Sequence, residues 1–230
     1  MTLAIWARGL LCALFFLVSG CSFFNRPPPL PRREAIEPTG SGEKFARLIE
    51  GADIIYFPSE SVVLDSRSEA AWKILEALRR TGDSFALGWD LLGREDEHRN
   101  FLAEVGKSGA EILPLRAPAP LEADETSRGF EPPPGDFEVF VRRFSSRDFN
   151  EARLRDAYET ALRAQQFAAA KISAHFLEHR GEKIIVFLRR DYLGPDRGVP
   201  YFVAQKTKAR QLILKPERHR EPAPGLLTRN

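Results

Sequence analysis

Cysteine is nearly missing from these 230 residues: there are two, Cys12 and Cys21. Cys12 falls inside an apolar segment that reads as a leader. The mature chain is therefore expected to hold one cysteine, no internal disulfide and no thiolate zinc cluster. A surplus of charge is missing as well. Lys and Arg number 34 against 32 Asp and Glu, an imbalance too small to gather nucleic acid. No apolar run reaches the roughly 20 residues needed to span a bilayer. Ser59, Ser61 and Ser66 are not set in a Gly-x-Ser-x-Gly elbow, the glycines form no phosphate-cradling loop, and no internal repeat occurs. What is present, 43% hydrophobic and 29% charged residues, is the composition of a globular protein with one core.

The first 20 residues carry one charged side chain, Arg8, and an apolar core from Gly9 to Val18. A core of about ten residues suits a cleaved signal peptide. Val18-Ser19-Gly20-Cys21 follows and resembles the lipobox of bacterial lipoproteins. In that reading the Cys21 thiolate accepts diacylglycerol, and acyl chains at about 0.8 kcal/mol per buried CH₂ hold the protein on the membrane. An ordinary secretory signal with an incidental cysteine is the alternative. Ser22 stands where an inner-membrane retention signal would have Asp, which points to the periplasmic face of the outer membrane. Residues 21–43, with Pro27, Pro28, Pro29, Pro31, Pro38, Gly40 and Gly42, read as an extended tether.

Strand and helix signals alternate over residues 44–215. Ala52 to Phe57 is a short apolar run stopped by Pro58. Ser66 or Ser68 opens a helix in which Ala71, Ile74, Leu75 and Leu78 share a face, and Thr81-Gly82 ends it. Ser84 to Leu92 is a second strand, Arg94 to Lys107 a charged helix, and Glu111 to Leu115 a third strand that Pro114 assigns to a sheet edge. Residues 117–136 are proline-rich and read as a loop, with Phe137, Val139 and Val141 a short strand or a helix lead-in. From an N-cap at Asp148, Leu154, Tyr158, Ala161, Leu162, Gln165, Ala168, Ala169, Ile172 and Phe176 trace one face of a long helix to His179, with Gly181 as cap. Lys183 to Leu188 is a buried strand. Tyr201 to Ala204 and Gln211 to Leu214 read as an antiparallel hairpin, and residues 216–230 as a flexible tail. The expected fold is α/β: one domain with a mainly parallel sheet, helices on both faces and that hairpin at its edge.

Ligand groups in such sheets gather at the carboxyl ends of the strands. Glu60, Asp90, Arg189, Arg190 and Tyr192 stand there. Glu60 and Asp90 either face one crevice, where each raises the other's pKa, or hydrogen-bond strand-end amides. Tyr192 is either a phenolate ligand for ferric iron, its pKa lowered by Arg189 and Arg190, or a packed residue at a solvated rim. His175 and His179 have the four-residue spacing of a two-point metal ligand, or are a buried histidine and its neighbour.

The order of these segments resembles the ChaN-like family of haem-binding uptake lipoproteins, within the superfamily that includes Tiki-type metalloproteases and erythromycin esterases. The segments concerned are Tyr56-Phe57-Pro58-Ser59-Glu60-Ser61-Val62, Leu87-Gly88-Trp89-Asp90, Ala164-Gln165-Gln166-Phe167-Ala168-Ala169, and the strand leading through Arg189-Arg190-Asp191-Tyr192 to Gly198-Val199-Pro200. The resemblance covers residues 45–214. It implies an envelope protein that binds haem or another flat acidic ligand in iron uptake, with Tyr192 as iron ligand and Arg189 or Arg190 on the carboxylates. The family's two motif histidines are replaced here by Val62 and Tyr192, and its second glutamate by Asp90. Hydrolysis at a divalent metal needs about three N/O ligands and an open water position. With both imidazoles replaced, the chain is expected not to be an enzyme. The alternatives are a scaffold that recognises another envelope protein, and a metal-dependent hydrolase using Glu60.

Overall fold

Parallel strands covered on both faces need apolar side chains on both, and three segments of this chain have them without interruption. They form β2 (Ile54–Pro58), β3 (Phe85–Trp89) and β5 (Lys183–Leu188), each almost wholly buried. The computed structural model describes residues 31–36, 47–58, 69–90, 98–117, 129–144 and 150–216. Cys21, Glu60, Ser66 and Ser68 lie outside them. The remaining elements are β1 (Arg32–Ile36), α1 (Glu69–Thr81), α2 (Arg99–Lys107), β4 (Ile112–Pro114), α3 (Asp136–Phe144), α4 (Glu151–Glu178), α5 (Val199–Lys206) and β6 (Gln211–Pro216). The six strands form one sheet in the order β1-β6-β2-β5-β3-β4, and every pairing is parallel.

The period-two alternation of side chains divides the core in two. Ile55, Phe57, Phe85, Leu87, Trp89, Ile185, Phe187, Leu212 and Leu214 face α1 and α2, packing on Ile74, Leu75, Leu78, Phe101 and Val105. Ile54, Tyr56, Ala86, Ile184, Val186, Leu188 and Ile213 face α4 and α5, packing on Ala168, Ala169, Ile172, Val199, Phe202 and Val203. Phe187 is the hub of the first layer, with ring centroids of Phe57, Trp89 and Phe101 at 5.4, 5.7 and 5.7 Å. On the second face Gly88 has no room for a side chain, since a Cβ there would lie 2.9 Å from Leu115 Cδ1.

The terminal hairpin is not formed. Tyr201 to Ala204 belongs to α5, and Gln211–Pro216 pairs parallel with both β2 and β1. The reason lies in Gly198 and Pro200. Gly198 adopts φ +87, Pro200 sits in the first helical turn, and Val199, Phe202 and Val203 are then buried at helical spacing. A parallel β5–β6 crossover also needs a helix's length of chain, which a tight hairpin cannot supply. Three further segments differ from expectation. Arg32–Ile36, inside the stretch read as tether, is an edge strand. Residues 136–144 form a helix, beginning at the last residue of the expected loop. The cap of α4 is Asn150, whose Oδ1 accepts from Arg153 N–H at 2.9 Å. Pro114 does lie in an edge strand, as its missing N–H requires.

Candidate functional site

The helices that follow β2 and β5 pack on opposite faces: α1 on one layer, α5 on the other. The strands are neighbours, so the sheet has its topological switch point at their carboxyl ends, the place where ligands settle in doubly wound sheets. Two expected residues stand near this edge, close enough for the charge of Asp90 to act on the Tyr192 hydroxyl. Asp90 directly follows β3, its backbone N–H donating to Phe187 O at 3.3 Å. Tyr192 closes a 3₁₀ turn (Arg190–Tyr192) after β5 and packs half-buried against the α4–α5 layer.

Around Tyr192 the chain folds tightly on itself. A Cβ on Gly198 would come 2.4 Å from Tyr192 O, and one on Gly194 would come 2.5 Å from Arg197 O. The Arg189 guanidinium stands over the Tyr192 ring, 5.3 Å from its centroid, and also grips Asp191 through Nε at 3.2 Å and Nη2 at 2.9 Å. Arg190 is exposed at the head of the turn. Burial pushes the Tyr192 hydroxyl above its usual pKa; Arg189 opposes the rise, while Asp191 and Asp90 add to it. Of the two readings the sequence leaves open, a pKa lowered by arginine is not the one observed. Desolvation and two carboxylates outweigh Arg189, so the unliganded phenol keeps its proton at neutral pH.

Beside this turn lies an open crevice of about 380 Å³, including solvent-facing space, between α3, α4 and the β5–α5 loop. Phe140, Tyr158, Arg143, Asp136, Asp191 and Arg197 are among its walls. Tyr192 is not on the lining, but its neighbours Asp191 and Gly198 are. Tyr158 donates to Asp136 Oδ2 at 3.2 Å, and Phe137 and Phe140 meet its ring edge-on. Burial, with Asp136 adding to it, drives the Tyr158 hydroxyl up to about 12. Burial likewise raises the Asp136 carboxyl, against lowering contributions from Tyr158 and Arg197. The sequence leaves this wall open between a short strand and a helix lead-in, and the structure makes it a helix. The signal was present: Phe137, Phe140, Val141 and Phe144 have helical spacing.

His175 and His179 lie at the other edge of the sheet, where α4 ends and β4 and β5 begin. The length of β5, about 20 Å at a strand's rise, separates that edge from Tyr192. The two rings stack with centroids 4.2 Å apart. Glu111 completes a group whose potential ligand atoms lie within 4.8 Å of one another. His98, in a charged segment of the sequence, is buried with its ring edge-on to Trp89, the centroids 5.5 Å apart.

A parallel α/β sheet with a crevice beside the turn that follows β5 is thus the class of structure on which the chain builds its site. No family model and no curated protein matches the chain. Among solved structures it is similar to ChaN of Campylobacter jejuni, a structure of cofacial haem binding. The TM-score is 0.54 over 75% of this chain and 84% of that one, at 14% identity. The likeness is one of fold: this chain has a ChaN-like α/β fold.

Proposed function

We propose that this chain is a lipid-anchored protein of the bacterial outer membrane that binds haem, or a similarly flat acidic ligand, in iron uptake, and is not an enzyme. The observation that carries the reading is Tyr192. It is half-buried at the carboxyl edge between Asp90 and Arg189, next to a crevice with aromatic and cationic walls. Haem is a flat apolar ring with two carboxylates. Phe140 and Tyr158 suit its face, and Arg143, Arg189, Arg190 and Arg197 suit its propionates. A tyrosine oxygen can hold ferric iron, and the metal's charge would expel the proton that burial retains in the free protein. Glu60 follows β2 in sequence and is the third residue of this proposed edge. The similarity of fold to ChaN, whose structure shows haem binding, supports the ligand class. The signal-like leader and Cys21 support anchoring to membrane lipid. Among the described residues no helix is long and apolar enough to cross a membrane.

Haemin titration of the chain beginning at Ser22 tests the reading. A saturable Soret shift is expected, with affinity at least tenfold weaker in Tyr192→Phe and little changed in Tyr158→Phe. No saturable shift, or one that Tyr192→Phe leaves intact, overturns it. Cleavage at Gly20–Cys21 and labelling of Cys21 by radioactive palmitate in cells test the anchor, and a Cys21→Ala chain that still labels contradicts it.

A further inference from the structure

We propose that His175, His179 and Glu111 form a binding site for one divalent transition-metal ion of the Zn²⁺ type, separate from the Tyr192 edge. The helix supplies the spacing: His175 lies in the last turn of α4 and His179, four residues on, is its C-cap, and the two rings stack 4.2 Å apart. The hydrogen bonds supply the nitrogens. His175 Nε2 is 2.6 Å from Glu182 Oε2, so it donates to that carboxylate and keeps its lone pair on Nδ1. His179 Nδ1 is 3.3 Å from the carbonyl oxygen of His175, which can accept but not donate, so the free lone pair of His179 is on Nε2. Metal-ligating histidines are held in this way, the second ring N–H spent on a carboxylate or a backbone carbonyl.

The third donor comes from the sheet. Glu111 precedes β4, and its Oε2 lies 3.9 Å from His175 Nδ1. Donors sharing one ion at about 2.0–2.1 Å sit roughly 3.4 Å apart in a tetrahedron, so the carboxylate has only a short way to close. The buried member is fixed and the exposed ones can adjust: His175 is 5% exposed and Glu111 59%. Two imidazoles and one carboxylate suit Zn²⁺, Co²⁺ or Ni²⁺ better than Ca²⁺ or Mg²⁺, which favour all-oxygen shells. Three protein donors leave a fourth position to water. The ion would tie the end of α4 to the start of β4, two segments distant in sequence.

Calorimetric titration with ZnSO₄ reads the site in the full chain, solubilised in mild detergent, free of any polyhistidine tag and stripped with chelator. One ion per chain is expected with micromolar or tighter affinity, and Co²⁺ should give the visible absorption of a four- or five-coordinate N/O site. His179→Ala and Glu111→Gln alter exposed side chains and should leave the metal-free fold intact. Each should weaken Zn²⁺ at least tenfold and abolish the rise in Tm that the metal gives the unaltered protein. Tyr192→Phe should leave Zn²⁺ binding unchanged. No saturable binding, or binding that both His179→Ala and Glu111→Gln leave intact, overturns the proposal, as does loss of binding in Tyr192→Phe alone.

Discussion

The two edges of this sheet are built from the same strands and do opposite things with charge. At the amino ends of β2, β5 and β6 charged groups are held in pairs or by backbone carbonyls. Asp53 at the start of β2 accepts from Arg210 N–H at 2.7 Å, Nη2 at 2.7 Å and Nε at 3.2 Å, stitching β2 to β6. Lys183 Nζ donates to the carbonyls of Ile49, Glu50 and Ala52 at 3.2, 3.1 and 3.0 Å. At the carboxyl edge and its α3–α4 annex the balance is less favourable. Burial raises Asp136, Tyr158 and Tyr192 above their ordinary values, for Asp136 and Tyr192 despite arginines nearby. An edge whose charges are paired stabilises the fold, while one that holds protons back and leaves a crevice open is suited to receive a charged partner. The difference teaches that the strand direction, by sending its loops to one side, decides where unresolved electrostatics can be kept.

The largest break in this comparison should come from Gly198→Ala. Its φ of +87 and the 2.4 Å approach of a Cβ to Tyr192 O force the turn open. A loss of about 3 kcal/mol is expected in urea unfolding, together with loss of haemin binding. A variant as stable as the parent would mean that the turn is not so tightly closed. At the other edge His175→Ala removes a buried ring and strands the Glu182 carboxylate. It should cost about 2 kcal/mol by the same measurement and spare haemin binding in the molecules that remain folded.

Acidity sharpens the contrast further. If the proton that burial keeps on Tyr192 must leave when iron binds, haemin affinity should rise about tenfold per pH unit between pH 6 and 8, a slope of one proton. Tyr192→Phe should be flat over that range. A wild-type affinity independent of pH would contradict a phenolate ligand.

The smallest effect separates two aspartates. Partial burial works to raise Asp53, but the hydrogen bonds and charge of Arg210 win and hold it below the ordinary carboxylate value. Its stabilisation is therefore present above the unfolded pKa and fades as pH falls through the folded one. Asp136 is raised, so its contribution is greatest below the unfolded pKa and is lost as pH rises through the folded value. Urea midpoints between pH 3 and 7 should show Asp53→Asn losing stability mainly at the upper end. Asp136→Asn should be neutral or slightly more stable there. The reverse pattern would refute the assignment of the two edges.

How much of this was legible in the sequence follows from how local each signal is. Continuous apolar runs at Ile54–Phe57 and Ile184–Leu188 announce strands buried on both faces, and the repeat from Leu154 to Phe176 announces a long helix. Tyr201-Phe202-Val203-Ala204 misleads because β-branched and aromatic residues fit a strand as well as a buried helix; only the preceding Gly-Val-Pro and the crossover requirement choose. Arg32–Ile36 follows a run of prolines, begins with two arginines and becomes a strand through pairing with β6, a partner far along the chain. His98 and Glu111 are likewise tertiary. Nothing adjacent to them reveals that one is covered by Trp89 and the other lies beside His175. That Asp90 and Tyr192 lie on the same side of the sheet follows from strand direction, because the ends of parallel strands collect on one side.

The account stands most directly on how the iron of bound haemin is held. Resonance Raman spectra of the ferric complex, compared with those of Tyr192→Phe and Tyr158→Phe, read that bond. An iron–phenolate vibration present in the unaltered protein and in Tyr158→Phe, and lost in Tyr192→Phe, is the predicted result. The same vibration surviving in Tyr192→Phe, or vanishing with Tyr158 instead, would contradict it.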